Sequence, residues 1–500
     1  MLLTSRAFLL FLPIVLGLFL VVPARMRWLV LLTASVVFYG FWHTPYLFLA
    51  LGIVTCVSFW VGKHIASLPQ SRRRFCWLWV GIFADLAVLI WLRYLPALAR
   101  LLSDLFRYPG LQRLAAAMPV LVSVGVSFYV FQGISYIIDI YWDRESPEPN
   151  IGRFSLYMMF FPKLLQGPIE RAGHLLPQLR QTLQTNRECL TIGMHLLVWG
   201  FLKKVVVADT IAGYVDSIFG DVHAYPVLSH LAATYAYAIQ VYFDFSGYTD
   251  MALGAARLFG LRLTQNFNQP YASASIGEFW RRWHISFSRW ILDYIFTPLQ
   301  MQWREWRVWG TSAALLVTFF LSGLWHGPSG GFIVWGLLHG TYLAGSALSA
   351  RVRSRIRVRL GISNPTKHTL WRIFLTFNLV CLASMFFRAA RVKDGIFMLA
   401  NGITTLPAYL WEVHLGQRSI VGDLLLGRSG AEFASACLLI GFVFVVEWLE
   451  RRQGGLAGRS SEFRWLRNLP FWAQGAIYGC AFYLVTLRGA AAKSFIYLQF

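Results

Sequence analysis

The sequence is short of charge, and of one sign in particular. Asp, Glu, Lys and Arg make up only 14% of its 500 residues, where a soluble domain carries about 25%. Acids are the scarcer kind, 23 against 45 basic residues, which leaves a formal net charge of +22. With 57% hydrophobic residues and a mean hydropathy of +0.53, the chain has more apolar surface than a water-soluble fold can hide and far too much for a disordered one. Cysteine is scarce as well. Six are present, none in a C-x-x-C pair and most inside apolar runs, so they read as small core residues rather than a disulfide framework or a zinc site. No H-E-x-x-H, Walker A or strand-borne G-x-G-x-x-G occurs, which leaves a zinc protease, an ATPase and a dinucleotide enzyme unsupported. Missing too is the period-two alternation of outer-membrane barrel strands. These absences leave an all-α polytopic membrane protein.

A membrane helix needs about 20 mostly apolar residues. Stretches of that kind are 7–24, 27–42, 45–62, 75–96, 119–142, 190–208, 226–245, 308–325, 331–349, 371–388, 433–449 and 471–487. Several are short or interrupted by Pro and Gly, so roughly 10 to 13 spans are expected. No small-residue cleavage site follows the first stretch, which reads as a retained helix. Basic residues collect in short loops: Arg25 and Arg27; Lys63 and Arg72 to Arg74; the alternating run Arg351 to Arg359; and Arg451 to Arg467. Placing all four loops in the cytoplasm puts both termini outside. It also explains the positive charge without nucleic acid, since the basic clusters flank apolar spans rather than forming an aromatic-interleaved groove. A loop 209–223, with Asp209, Asp216 and Asp221 and no Lys or Arg, is expected outside, as is the mixed-charge segment 391–432. With no internal repeat in view, the chain reads as one integral-membrane domain over 1–500, with core motifs in 119–345 and accessory helices in 370–500.

Ionisable residues inside membrane segments are costly and therefore functional candidates. They concentrate between 160 and 345. In Phe161-Pro162-Lys163-Leu164-Leu165-Gln166-Gly167-Pro168-Ile169-Glu170 two prolines and a glycine surround Lys163, Gln166 and Glu170. Such a run is a re-entrant or broken segment lining a cavity, or an interfacial loop. In Asp244-Phe245-Ser246-Gly247-Tyr248-Thr249-Asp250 two carboxylates flank a Ser-Gly break and are expected to pair with Arg257, or with Arg281 and Arg282. After Asn266, Glu278 and Arg282 stand four apart on one helical face. Trp280, Trp283 and Phe287 share another, which suggests an amphipathic helix at the cytoplasmic interface with His284 between the faces. His326 ends an apolar span in Leu324-Trp325-His326-Gly327, among glycines that let another chain or a substrate approach the backbone. A histidine there is a natural base. His339, thirteen residues on, reads as a satisfied bundle histidine. From the residues alone, general-base acyl transfer and a proton-coupled transporter both fit.

These clusters resemble the membrane-bound O-acyltransferase family, above all its bacterial alginate O-acetylation branch. The matching stretches are Val124 to Gln132, Phe161 to Ile169, Asp244 to Ala252, Asn266 to Ser288 and Gly323 to Gly327. The resemblance implies a ring of tilted helices around a thinned centre, with re-entrant segments and funnels from both faces. By position, His326 matches the family's catalytic histidine and His284 its second polar position. Lys163, Gln166, Glu170, Asp244, Asp250, Asn266, Arg281, Arg282, Trp325 and His339 are expected to line the site or touch the donor. No metal and no bound cofactor are implied. The donor is an acyl thioester such as acetyl-CoA. The acyl group, most simply acetyl, passes to an exported polysaccharide such as alginate, directly or through an acyl carrier or a periplasmic SGNH-type acetyltransferase. The setting is the bacterial cytoplasmic (inner) membrane. D-alanyl transfer of the teichoic-acid type and a non-enzymatic transporter are the rival readings. One departure stands out: Leu292 to Arg304 lacks the glycines and asparagine usual in alginate-type members, which bears on the polysaccharide and the donor contacts rather than on the family.

The orientation is testable. Single cysteines placed by Ser71→Cys and Arg355→Cys should react with an impermeant thiol reagent only from the cytoplasmic side. Labelling of either from outside intact cells would overturn the topology.

Overall fold

The computed structural model describes residues 1–42, 44–106, 125–359 and 365–454, with isolated positions outside these stretches. Among the described residues every regular element is helical. Seven helices are long and apolar enough to cross a membrane: Pro45–Ser67, Arg72–Tyr94, Arg187–Gly220, Arg304–His326, Gly330–Leu348, Thr366–Arg388 and Gly430–Leu449. Three further expected spans are present as shorter helices, Arg6–Val21, Arg27–Gly40 and Val126–Tyr141. The stretch 226–245 lies within the 32-residue helix Val227–Leu258. The stretch 471–487 lies outside the described residues, apart from isolated positions.

The chain divides into two compact units, Met1–Trp199 with Tyr248–Gln265, and Gly200–Gly247 with Asn266–Phe500. In the first, Pro45–Ser67 packs on Arg72–Leu89 and on Val126–Tyr141. The contact is close because Gly133 has no side chain: a Cβ there would meet Ser58 Oγ and lie 2.8 Å from Asp85 Oδ2. Ser58 Oγ donates to the buried Asp85 carboxylate at 2.9 Å. At the helix ends Arg74, seated one turn after the Ser71 cap, binds Asp143 Oδ1 at 2.5 Å and the Ile140 carbonyl at 3.0 Å. The segment 160–170 is buried throughout and carries no helix, only turns, as the Pro-Gly-Pro spacing predicts.

The second unit is built on a helical hairpin. Arg307–His326 and Gly330–Leu348 form the most intimate pair, and Pro365–Arg388 packs on the second of them. The turn between them passes through Gly327, whose φ of +147° is one that side-chain-bearing residues rarely adopt. Ser329 then caps the next helix through Gly331 N–H. A Cβ on Gly323 would strike the Phe332 carbonyl, and one on Gly336 the Phe319 carbonyl. Of the two roles such glycines can have, approach by another stretch of chain or by a substrate, Gly323 and Gly336 serve the first.

Four other expectations are corrected. The presumed loop 209–223 is mostly the helix Asp209–Gly220, which a π turn at Leu202–Ala208 continues from Arg187–Phe201. Its Asp216 pairs with Arg388 at 2.7 Å. The Arg run is a helix, Ala350–Arg359, not a loop. No break occurs at Ser246-Gly247: Val227–Leu258 runs straight through, and Gly247 instead admits the Gly200 carbonyl, which would lie 2.8 Å from a Cβ. Finally, 276–291 is not one amphipathic helix. It is Ile276–Arg282 and Ile285–Ile291, and Trp280, Trp283 and Phe287 are buried rather than interfacial, because aromatic partners inside the protein meet all three.

The hairpin gives a direct test. Gly336→Ala should lower stability by about 1–3 kcal/mol, because the added Cβ would meet backbone of the facing helix at Phe319 and Gly323. Gly345→Ala, in the same helix with open space around it, should leave thermal unfolding in detergent unchanged or raised. Equal melting of the two variants would contradict the packing.

Candidate active site

The site is assembled within the second unit. His326 is the last residue of Arg307–His326 and is buried. Its ring lies edge-on to Trp335 (5.0 Å, 89°) and to Phe387 (4.9 Å, 78°), with Trp325 at 4.5 Å and Phe332 at 6.0 Å. Trp335 and Phe332 come from Gly330–Leu348, and Phe387 from Pro365–Arg388. Three helices thus close an aromatic collar around one imidazole. The collar replaces the glycine-lined opening that the sequence suggests.

His284 occupies the joint between the two short helices, with a left-handed φ of +41°. The backbone there is held by Asn266, whose carbonyl accepts from Ile285 N–H at 2.9 Å. The Asn266 side-chain oxygen accepts from Ser286 N–H (3.2 Å), from Ser286 Oγ–H (2.6 Å) and from His284 Nδ1 (3.4 Å). Phe245 meets the imidazole edge-on at 4.7 Å and Phe287 lies at 5.1 Å. Outside the membrane-crossing helices but fully enclosed, His284 has its pKa pushed down to about 3 by burial, so its neutral form dominates at physiological pH. Phe287 stacks on Trp325 at 4.4 Å and 22°, and its ring is 6.4 Å from that of His326. One aromatic pair therefore stands between the two histidines.

His339 joins the same cluster. Its Nδ1 accepts from Trp280 Nε1–H at 3.3 Å, and its ring is 5.1 Å from that of Trp335. Since Nδ1 accepts, the proton of neutral His339 sits on Nε2. His339 also lines a small open-sided cleft, together with Tyr237, Tyr271, Trp283, Trp335 and Phe387. Trp335 and Phe387 thus belong both to the cleft and to the collar of His326.

The charges pair differently from the expectation. Asp244 binds neither Arg257 nor the Arg281-Arg282 pair. Lys204 Nζ lies 2.5 Å from Asp244 Oδ1 and 2.8 Å from Asp209 Oδ1, all with side chains nearly inaccessible. The neighbouring Lys203 binds Glu447 at 2.7 Å, and Tyr242 O–H donates to the same carboxylate at 2.8 Å. The reason is proximity: the π turn aims both lysines inward from an apolar helix. Two lysines mid-span and an acid in Gly430–Gly454, the last long helix among the described residues, carry the signal of costly intramembrane charges, and Glu447 extends the ionisable set well beyond 345. Arg282 does pair with Glu278 at 2.5 Å, four residues away as expected. Arg281 is exposed.

Lys163, Gln166, Glu170 and Asp250 belong to the first unit. Lys163 Nζ donates to Gln132 Oε1 at 2.6 Å. Glu170 accepts from Thr264 N–H (2.5 Å) and lies 2.7 Å from His174 Nδ1, while its carbonyl accepts from Tyr157 O–H (2.9 Å). Gln166 is buried, and Asp250 is half-buried. Glu170 there ties a non-helical segment to its neighbours.

Residues 142–386, which include all three histidines, match the MBOAT, membrane-bound O-acyltransferase family. The chain is 40% identical over 348 residues to the "Probable alginate O-acetylase AlgI" of Azotobacter vinelandii, covering 69% of this chain and 68% of that protein. It is 31% identical over 400 residues to the peptidoglycan O-acetyltransferase of Helicobacter pylori, covering 74% and 72%. It is 27% identical over 271 residues to the teichoic acid D-alanyltransferase of Bacillus subtilis, covering 53% and 68%. With its apolar helices and its match to these enzymes over most of their length, the chain belongs to the membrane-bound O-acyltransferase family and is an acyltransferase embedded in a membrane.

Proposed function

We propose that this enzyme takes an acetyl group from a cytoplasmic thioester, such as acetyl-CoA, and passes it across the membrane for O-acetylation of an exported cell-envelope polysaccharide. Alginate is the first candidate. The observation that carries this reading is the grouping of His284 and His326 around the stacked Phe287–Trp325 pair. Acetyl is favoured over D-alanyl because the relatives named for O-acetylation are 40% and 31% identical, against 27% for the D-alanyl transferase.

A sugar hydroxyl is a weak nucleophile at neutral pH and needs a positioned base. His326 takes the hydroxyl proton as the oxygen attacks the thioester carbonyl. The new C–O bond forms, the C–S bond breaks, and the proton leaves with the thiolate as thiol. The aromatic collar excludes water, which protects the thioester from hydrolysis and strengthens polar interactions inside. His284 holds the donor beside the reacting carbon. No step calls on a metal.

The protein works in the bacterial inner membrane with both termini outside. Its basic cytoplasmic face attracts the anionic donor. An acyl carrier or a periplasmic SGNH-type acetyltransferase relays the group to the polymer where transfer is not direct.

General-base catalysis is worth typically 10²–10⁴-fold, so His326→Ala should lower the acetyl content of the exported polymer by at least ~100-fold at equal protein level. His326→Gln retains hydrogen bonding but cannot take the proton, and should fail as badly. Near-normal acetylation with glutamine at 326 would end the general-base assignment. His284→Ala should also lower transfer strongly while leaving expression and membrane extraction unchanged; normal transfer would make that residue scaffolding.

A further inference from the structure

We propose that Asn266 is the positioning residue that sets the tautomer of His284, so that His284 meets its substrate through Nε2 as a hydrogen-bond acceptor. The inference rests on the functional reading above, in which His284 holds the donor, and it specifies how.

The orientation of the Asn266 amide follows from its partners. A backbone N–H can only donate, so the side-chain atom facing Ser286 N–H at 3.2 Å is the oxygen. The Ser286 hydroxyl closes on the same oxygen at 2.6 Å. His284 Nδ1 approaches that oxygen too, at 3.4 Å. Two lone pairs would repel there, so Nδ1 carries the proton of the neutral ring and the lone pair lies on Nε2. The backbone carbonyl of Asn266 takes Ile285 N–H at 2.9 Å. One asparagine therefore fixes the two residues that follow His284 and the imidazole itself, while His284 keeps a left-handed conformation that is unfavourable for a residue with a side chain. His339 is held the opposite way: it accepts at Nδ1 from Trp280 and so presents an Nε2 donor. Within one aromatic cluster, two neutral histidines carry opposite tautomers, each imposed by a side-chain partner. A donor role toward the thioester carbonyl suits the ring of His339 rather than that of His284.

The chemistry that fits His284 is an N–H, O–H or S–H of the bound substrate. Aromatic rings of Phe245, Phe287 and Trp325 face the imidazole, and burial alone accounts for its low pKa. A carboxylate introduced at position 266 would be a new charge beside it.

The test compares transfer rates from labelled acetyl-CoA in membrane vesicles for Asn266→Ala, Asn266→Asp, His284→Ala and Asn266→Ala combined with His284→Ala, each at matched protein level. Asn266→Ala should lose at least ~10-fold, and the double variant should be no slower than His284→Ala. Asn266→Asp keeps every acceptor contact and should retain much of the rate. Its carboxylate favours the imidazolium, which raises the His284 pKa, so the acid limb of its pH–rate profile should move up by at least about one unit. A merely structural asparagine would not move that limb. An unshifted profile in Asn266→Asp, or full activity in Asn266→Ala beside an inactive His284→Ala, would overturn the inference alone. Full activity in His284→Ala would overturn the role of His284 and this inference with it.

Discussion

The ammonium of Lys204, held between Asp244 and Asp209, is the contact on which the second unit turns. An ionised group this deeply buried is tolerable only with partners in place, and removing one of them leaves an uncompensated charge at a cost of about 3–5 kcal/mol. The π turn at Leu202–Ala208 makes the arrangement possible, since its altered winding brings adjacent lysines inward, Lys203 to Glu447 and Lys204 to Asp244. Asp244 thereby fixes the register of Val227–Leu258, and the next residue, Phe245, packs against His284. The residue that closes the charge network and the residue that packs on the histidine are thus neighbours on one helix. The network's satisfaction, rather than any net gain from the ion pairs, is what sets the position of the site.

Around the histidines the protein uses aromatic surface where many enzymes use polar side chains. Phe287, Trp325, Trp335 and Phe387 fix ring orientations by edge and face contacts. Under the proposed mechanism, a neutral imidazole is the form a general base requires, and an apolar wall would shield a thioester beside it. The same choice explains the backbone: glycines at 323, 331 and 336 bring helices close enough for the large rings to converge at their ends.

Much of this was legible in the sequence and some was not. The helical membrane class follows from composition, and the long spans from their apolar runs. His326 and His284 stood out through the family motifs around them, and Glu278–Arg282 through its four-residue spacing. The partner of Asp244 was missed because Lys204 lies forty residues away in sequence inside an apolar run, and local spacing favoured nearby arginines. The break at His284 was missed because Trp280, Trp283 and Phe287 keep a helical period across it. What interrupts the helix is Asn266, eighteen residues upstream, through hydrogen bonds that no periodicity encodes. The glycines near His326 suggested an opening because glycine permits close approach by a ligand or by another helix alike, and only the packing distinguishes them.

The central claim is that His284 and His326 serve one reacting carbon. The most direct test is a double-mutant cycle on transfer from labelled acetyl-CoA in membrane vesicles, with His284→Ala, His326→Ala and the combination. Residues that act as a unit are strongly non-additive, so the double variant should transfer acetyl within about threefold of His326→Ala alone. Losses that multiply, as independent sites give, would contradict the account.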